Sequence, residues 1–125
     1  MNKITTRTAI IFIDQKGILH MEMIAGAEID YEDAVDNGIV IKRLIGESKA
    51  LKLIDSRVSW SINKKARAFV KEIDSKQTIA RAVLTQTSLS SMLNNFFSQL
   101  GKNNVPVKFF SNYEAACDWL LTFKD

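Results

Sequence analysis

Two sets of residues in this chain have the types and spacing that acid–base or metal chemistry would use. His20 and Glu22 lie two residues apart in a segment that alternates between apolar and polar residues, so they would share one face of a strand. Such a pair could act as a general acid and base, although a surface pair is the more ordinary interpretation. Asp30, Glu32 and Asp33 resemble a metal-binding cluster, but the first turn of a helix also explains them, because the helix dipole favours carboxylates there.

The other chemistry-bearing residues indicate no cofactor or metal site. Cys117 is the single cysteine and lies in the apolar stripe of the last helical segment, which is typical of a buried structural thiol rather than a nucleophile. One cysteine and one histidine exclude most zinc sites. The five glycines are scattered and form neither a phosphate-binding loop nor a dinucleotide fingerprint. We therefore predict no catalytic residue, no cofactor and no metal, and a protein that is not an enzyme.

The segment after the third predicted strand is the most suggestive part of the chain. It joins a strand to a helix, and ligands or partners meet the loops beyond the carboxyl ends of strands in sheets of this kind. Ser61 is predicted to cap that helix, where a phosphate would also be favoured electrostatically. Trp60 is either a core residue or a partly exposed anchor. The candidate partner-binding loop consists of Ser56, Arg57, Ser59, Trp60 and Ser61.

Hydrophobic periodicity predicts the elements that would position these residues. Short β-branched segments predict five strands, and apolar residues at helical spacing predict four helices that begin at Asp30, Ser61, Leu89 and Ser111. The strands are predicted over residues 8–13, 18–24, 50–55, 78–85 and 107–110. Strands separated by helices imply parallel pairs with right-handed crossovers. We predict one α/β domain over residues 1–125, with a mixed five-stranded sheet, an N-terminal β-hairpin and mostly parallel β–α units.

Most of the predicted strands carry polar residues near their centres. These residues are His20, Glu22, Lys52, Arg81 and Lys108. If they share one face of the sheet, that face would be only partly covered and could bind a partner or a second copy of the chain. The alternative is that loops or a helix end cover this face.

The charge is unevenly distributed along the chain. The net charge is +3, yet residues 56–113 carry nine Lys or Arg and only two acids, Glu72 and Asp74, which gives +7. A solvated helix face is the ordinary explanation, and an anionic partner is the alternative. The sequence shows neither a signal peptide nor an apolar run of the roughly 20 residues that a membrane span needs. We therefore predict a cytoplasmic protein.

The closing segment, residues 107–120 (VKFFSNYEAACDWL), together with the order of elements, resembles the STAS superfamily. This superfamily comprises anti-sigma-factor antagonists, the C-terminal domains of sulphate transporters and small stand-alone bacterial proteins. The resemblance implies a sheet wound by right-handed β–α turns and no enzyme activity. It also implies a protein partner, because the antagonists bind a kinase-type anti-sigma factor.

The switch of the anti-sigma-factor antagonists is a phosphorylated Ser in an Asp-Ser-x-Gly motif at the start of the helix after the third strand. The corresponding place here reads Ser59-Trp60-Ser61-Ile62, so Ser61 or Ser59 would occupy the switch position. The preceding Asp and the following Gly are both missing. The phosphorylation site of the antagonists is therefore not carried over to Ser59 or Ser61, and whether either is phosphorylated stays open.

Three functions remain open at this point. The leading hypothesis is a non-enzymatic regulatory or protein-interaction module that could form a homodimer. The alternative is a small-molecule or lipid carrier, since several side chains supply adaptable apolar surface: Met21, Met23, Trp60, Met92, Phe96 and Phe97. Nucleic-acid binding through Lys64, Lys65, Arg67 and Lys71 is the least favoured hypothesis, because no exposed aromatics are interleaved with the basic residues.

Overall fold

The computed structural model describes residues 2–86, 89–102 and 104–124. Within these residues the chain forms eight strands and four helices. The strands are β1 (Ile4–Thr5), β2 (Ala9–Ile13), β3 (Ile18–Met23), β4 (Glu28–Ile29), β5 (Ala50–Asp55), β6 (Ser61–Ile62), β7 (Thr78–Leu84) and β8 (Val107–Phe110). The helices are α1 (Tyr31–Ile45), α2 (Lys64–Gln77), α3 (Ser91–Gly101) and α4 (Tyr113–Leu121).

Six of the strands form one mixed sheet in the order β1-β2-β3-β5-β7-β8. The pairs β1–β2 and β2–β3 are antiparallel, and the pairs β3–β5, β5–β7 and β7–β8 are parallel. The prediction of an N-terminal hairpin followed by mostly parallel β–α units is confirmed. The sheet has six strands rather than five, and β4 and β6 form a separate parallel pair. The three extra strands have two residues each, which is too short to show any periodicity.

The helix starts follow their capping residues. Asp30 caps α1 as predicted, and its carboxylate accepts a hydrogen bond from the Asp33 amide. The prediction that Ser61 caps α2 is wrong, because Asn63 is the cap and its side chain accepts from the Ala66 amide at 2.9 Å. Ser61 belongs to β6 instead, where its amide donates to the Ala27 carbonyl at 2.9 Å.

The strand register assigns the polar strand residues to two different faces. Residues paired across neighbouring strands point to the same face, and Lys52 pairs with Arg81. His20 pairs with Leu53, the neighbour of Lys52, so His20 lies on the opposite face together with Glu22 and Lys108. The prediction of one open face lined by all five polar residues is therefore wrong. Lys52, Arg81 and His20 are all buried.

The two faces are covered differently. Among the described residues, α4 is the helix that packs on the face that carries His20, where the small residues Ala80 and Ala82 of β7 meet Ala116 of α4. The other face carries larger side chains and is covered by α1, α2 and α3. The candidate functional site lies beneath these three helices.

Candidate ligand-binding cavity

A cavity of about 80 Å³ lies between the sheet and helices α1, α2 and α3. Its walls are mostly apolar, and every one of the three helices contributes to them. Met21 and Met23 of β3 and Ile54 of β5 form its floor, because odd-numbered residues of β3 share their face with Lys52 and Ile54. Of the six residues that the sequence suggests for a carrier function, Met92 does not line the cavity. The other five do: Met21, Met23, Trp60, Phe96 and Phe97.

Aromatic and branched side chains close one end of the cavity. Ile29 of β4 pairs with Ile62 of β6, and this pair links the amino-terminal ends of α1 and α2. Trp60 precedes β6 and packs edge-on against Phe97 of α3, with ring centroids 6.1 Å apart. Its indole nitrogen donates to the Ser56 hydroxyl at 3.2 Å, which fixes the ring over the end of the cavity.

A buried cluster of charged residues occupies the opposite end. Lys52 of β5, Arg81 of β7 and Asp74 in the last turn of α2 all line the cavity. The Arg81 guanidinium donates to both carboxylate oxygens of Asp74, and one of these bonds measures 3.0 Å. The Thr78 hydroxyl donates to the same carboxylate at 3.1 Å. Asp74 therefore accepts three hydrogen bonds from Arg81 and Thr78.

Lys52 has no comparable partner. Its Nζ lies 3.9 Å from the nearer Asp74 oxygen, which is an ion-pair distance but too long for a hydrogen bond. Only 4% of the residue is exposed. Burial and the nearby Arg81 charge lower the pKa of Lys52 to about 7, although Asp74 opposes this shift. A buried amine with a perturbed pKa beside a cavity is a candidate functional group.

Asp74 has the opposite electrostatic setting. Burial raises its pKa, but the hydrogen bond from Arg81 and the charges of Arg81 and Lys52 outweigh burial, so the net effect is a lowered pKa. Asp74 is therefore a carboxylate at neutral pH. When Lys52 is protonated, two buried cations therefore share one buried anion, and the cavity has an excess of positive charge.

Comparison with known proteins identifies a family for the chain. The model of a domain of unknown function (DUF7793) matches residues 11–124. The chain belongs to the DUF7793 family. No curated protein is significantly similar to it.

A solved structure also resembles this DUF7793 domain. It is an uncharacterized protein of the DUF3478 family from Shewanella loihica PV-4, which has a SpoIIAA-like fold. The TM-score is 0.63 at 19% identity, over 90% of this chain and 91% of that chain. At this identity the likeness concerns the fold alone, and it confirms the predicted STAS-like fold.

The predicted partner-binding loop of the DUF7793 domain is only partly exposed. Ser56 and Trp60 are buried and hydrogen-bonded to each other, and Ser61 is half-buried in β6. Arg57 and Ser59 are exposed, and the Arg57 guanidinium is paired with Asp55 at 2.7 Å. The loop therefore contributes Trp60 to the cavity and leaves residues 57–59 at the surface.

The predicted acid–base pair does not form. His20 and Glu22 share a face as expected, but the His20 Nε2 lies 2.8 Å from Asp14, and its ring stacks on Phe12 with centroids 4.5 Å apart. The other Asp14 oxygen accepts the amides of Lys16 and Ile18 at 2.9 and 3.0 Å. Burial opposes ionisation of Asp14, but these hydrogen bonds outweigh it and lower its pKa. The hydrogen-bonded pair of His20 and Asp14 therefore stabilises the turn between β2 and β3.

Cys117 and the basic segment have structural contacts of their own. Burial raises the pKa of the Cys117 thiol, which favours the unreactive protonated form. In α2, Lys65 lies over the Tyr31 ring at 4.7 Å, and Arg67 donates to the Ile62 carbonyl at 2.6 Å. The described residues contain no cluster of three His, Cys, Asp or Glu that could hold a metal ion. None of their helices has the length and apolar character needed to cross a membrane.

The charged end of the cavity is the part of the candidate site that the sequence does not predict. Lys52 and Arg81 were recognised as unusual in apolar strands, but their shared face depends on the register between β5 and β7. Asp74 carried a readable signal. It lies four residues after Val70 and eight after Ala66, so it extends the apolar stripe of α2 with a carboxylate.

Proposed function

We propose that this protein binds a small, largely apolar ligand in the cavity between its sheet and helices α1–α3, and that it acts as a carrier or ligand sensor rather than an enzyme. The observation that supports the proposal is the cavity itself, whose lining combines aromatic and thioether side chains with a buried amine. Pockets that are mostly apolar with a few convergent polar groups are the usual form of small-molecule sites.

The size of the cavity limits the ligand. An apolar cavity of roughly 150 Å³ in a protein core holds one benzene molecule. The cavity here measures about 80 Å³, so as it stands it admits only a fragment smaller than benzene. A six-carbon chain such as hexan-1-ol therefore requires α1 to move away from the sheet. The exposed connection at residues 46–49, between α1 and β5, leaves that end of α1 less constrained than its start, which β4 holds.

The non-enzymatic part of the proposal is supported by how the reactive side chains are used. His20 is engaged by Asp14 and stacked between Phe12 and Tyr113. The Cys117 thiol has a raised pKa, and neither residue lines the cavity. The cavity therefore offers binding groups without a nucleophile and base held within hydrogen-bonding distance of each other.

Methyl NMR tests the binding function directly. We expect hexan-1-ol, a neutral six-carbon probe, to shift the methyl signals of Met21 and Met23, which line the cavity, and to leave Met92 unshifted. Ala34→Leu would fill part of the cavity and weaken binding, whereas Ala68→Leu adds the same atoms on the exposed side of α2. Equal shifts at all three methionines, or equal affinities of the two variants, would contradict the proposal. Native mass spectrometry of the purified protein would then identify any retained ligand.

A protein-interaction function is the second proposal. The observation that favours it is the exposed tip of the predicted loop, where Val58 is 38% exposed between the exposed residues Arg57 and Ser59. This tip follows the carboxyl end of β5, the edge of the sheet where partners of such folds bind. Light scattering across a concentration series tests self-association. We expect Val58→Asp to shift a dimer to the monomer, and a wild-type protein that stays monomeric would exclude the homodimer.

A further inference from the structure

When Lys52 is protonated, the charged end of the cavity has an excess of one positive charge. The charged residues that line the cavity are Lys52 from β5, Arg81 from β7 and Asp74 from α2. Asp74 accepts hydrogen bonds from Arg81 and Thr78, whereas the Lys52 Nζ lies 3.9 Å from its nearer oxygen. A buried ion pair can persist without further partners, but a second buried cation destabilises the fold. A bound anion would remove this destabilisation.

Resting on the ligand-binding function proposed above, we propose that the ligand is a short amphipathic carboxylate. Its carboxylate would accept hydrogen bonds from the Lys52 ammonium beside Arg81, and its apolar chain would extend toward Trp60 and Phe97. The order of elements supports this orientation, because Asp74 lies in the last turn of α2 whereas Trp60 precedes β6, which leads into the start of the same helix.

The charge balance favours a monoanion. One negative charge neutralises the set formed by Lys52, Arg81 and Asp74, whereas a phosphate dianion would leave an excess of negative charge in a buried site. The Lys52 Nζ carries three donors and lies beyond hydrogen-bonding distance of Asp74, so it can donate to an incoming carboxylate without breaking an existing bond. Hydrogen bonds between ionised partners are roughly twice as strong as neutral ones.

The proposal predicts that binding is linked to proton uptake. The pKa of Lys52 is about 7 in the unliganded protein, so above that pH the amine is largely neutral. A carboxylate ligand stabilises the ammonium form and raises this pKa, so binding above pH 7 must also take up a proton. The affinity for a carboxylate should therefore fall as the pH rises from 7 to 9. The affinity for a neutral alcohol of the same length should not.

Titration calorimetry with hexanoate and hexan-1-ol tests the inference. These two probes share a six-carbon chain and differ in the head group. We expect wild-type protein to prefer hexanoate at pH 6.5, and Lys52→Met to weaken hexanoate binding by roughly ten- to hundred-fold, the usual effect of removing a charged hydrogen bond. Hexan-1-ol binding should be unchanged in this variant. Lys49→Met is the matched control, because Lys49 is an exposed lysine just before β5. This variant should alter neither affinity.

The outcomes separate the two proposals. If hexanoate and hexan-1-ol bind equally and Lys52→Met changes neither affinity, the carboxylate inference is wrong and the ligand-binding function stands. If neither probe binds the wild-type protein, both proposals are wrong. The pH dependence of hexanoate binding to wild-type protein is a second test that needs no variant. An affinity that stays constant between pH 7 and 9 would overturn the predicted proton uptake by Lys52.

Discussion

The two faces of the main sheet differ in how their buried polar groups are paired. On the α4 face, small side chains let the helix lie close to β5 and β7, and the buried His20 has a hydrogen-bonding partner at 2.8 Å. On the opposite face, three helices cover larger side chains around a cavity, and the buried Lys52 lies 3.9 Å from its nearest carboxylate oxygen. The first face has the features of a structural core. The second has features that reduce stability and are typical of a binding site.

The difference teaches which residues to examine for function. A buried polar group that is fully paired is explained by the fold, whereas a buried charge in excess needs another explanation. Ala80, Ala82 and Ala116 allow close packing on the α4 face. On the other face, the parallel pairing of β4 with β6, which includes Ile29 and Ile62, links the starts of α1 and α2. The cavity lies between this strand pair and the charged cluster.

The largest expected effect comes from removing the one anion of the cluster. Asp74→Asn would leave Lys52 and Arg81 buried without a carboxylate, and we expect the free energy of unfolding to fall by about 3–5 kcal/mol. Urea unfolding at neutral pH measures this change. Asp36→Asn is the matched control, because Asp36 is exposed on α1 and its loss should be nearly neutral. A loss below about 1 kcal/mol in Asp74→Asn would mean that water or an ion reaches the cluster.

The second effect has the opposite sign. Lys52→Met removes the excess cation and leaves the Arg81–Asp74 pair intact, so we expect stability to rise by about 1–4 kcal/mol at neutral pH. An amine with a pKa near 7 in the folded state and 10.5 in the unfolded state binds more protons when unfolded between these pH values. The contribution of Lys52 to the free energy of unfolding of the wild-type protein therefore rises as the pH rises from about 7 to 10.5.

Urea unfolding of wild type and Lys52→Met at several pH values measures this linkage. The stability advantage of the variant should be greatest below pH 7 and should shrink as the pH approaches 10.5. Comparison of the two proteins cancels the titration of all other groups. If the difference in stability between Lys52→Met and wild type does not change with pH, the pKa of Lys52 is the same in the folded and unfolded states, and the folded protein does not bury a charged Lys52.

The third effect compares the same substitution on the two faces. Ala116→Leu inserts three carbons where α4 lies close to β7, and we expect a loss of about 1–3 kcal/mol from overpacking. Ala34→Leu inserts the same atoms beside the cavity, which has room for them, so its cost should be below about 1 kcal/mol. Thermal and urea unfolding of both variants measure the difference. Equal losses would mean that the α1–α3 face is as closely packed as the α4 face.

The fold could be predicted from the sequence because its main elements are long enough to show a period. The five longer strands and four helices all appear in the apolar pattern, and Asp30 marks the start of α1. The two-residue strands β4 and β6 have no period, so Ser61 was assigned to a helix start instead of to β6. The cap of α2 is Asn63, and asparagine is as favourable a helix N-cap as serine.

The candidate site could be predicted only in part, for a physical reason. The apolar lining residues such as Met21 and Phe97 were identified by type, because adaptable side chains are common around apolar ligands. The charged cluster depends on the register of β5 and β7, which shifts between Ala50 and Leu51 and brings Lys52 beside Arg81. Pairing between strands that are separated by a helix leaves no periodic signal in the sequence. The charged part of the candidate site is therefore visible only in three dimensions.

The smallest expected effect concerns Gly38, which lies inside α1 and lines the cavity. A Cβ at this position would lie 3.4 Å from the Ile73 Cδ1 and 3.8 Å from the Phe69 ring, both ordinary contact distances. We therefore expect Gly38→Ala to stabilise the protein by about 0.5–1 kcal/mol, since glycine is unfavourable within a helix. Gly46→Ala at the end of the same helix should destabilise, because its φ is +63°.

Thermal unfolding of the two glycine variants, combined with hexan-1-ol titration, sharpens the contrast between the faces. The Gly38→Ala methyl group narrows the cavity, so the variant should gain stability and lose some affinity for the alcohol. A loss of stability would mean that α1 and α2 lie closer together than these distances indicate. A gain in stability with unchanged affinity would place the ligand away from α1, toward α3 and the sheet, where Phe97 and Ile54 would then form its main contacts.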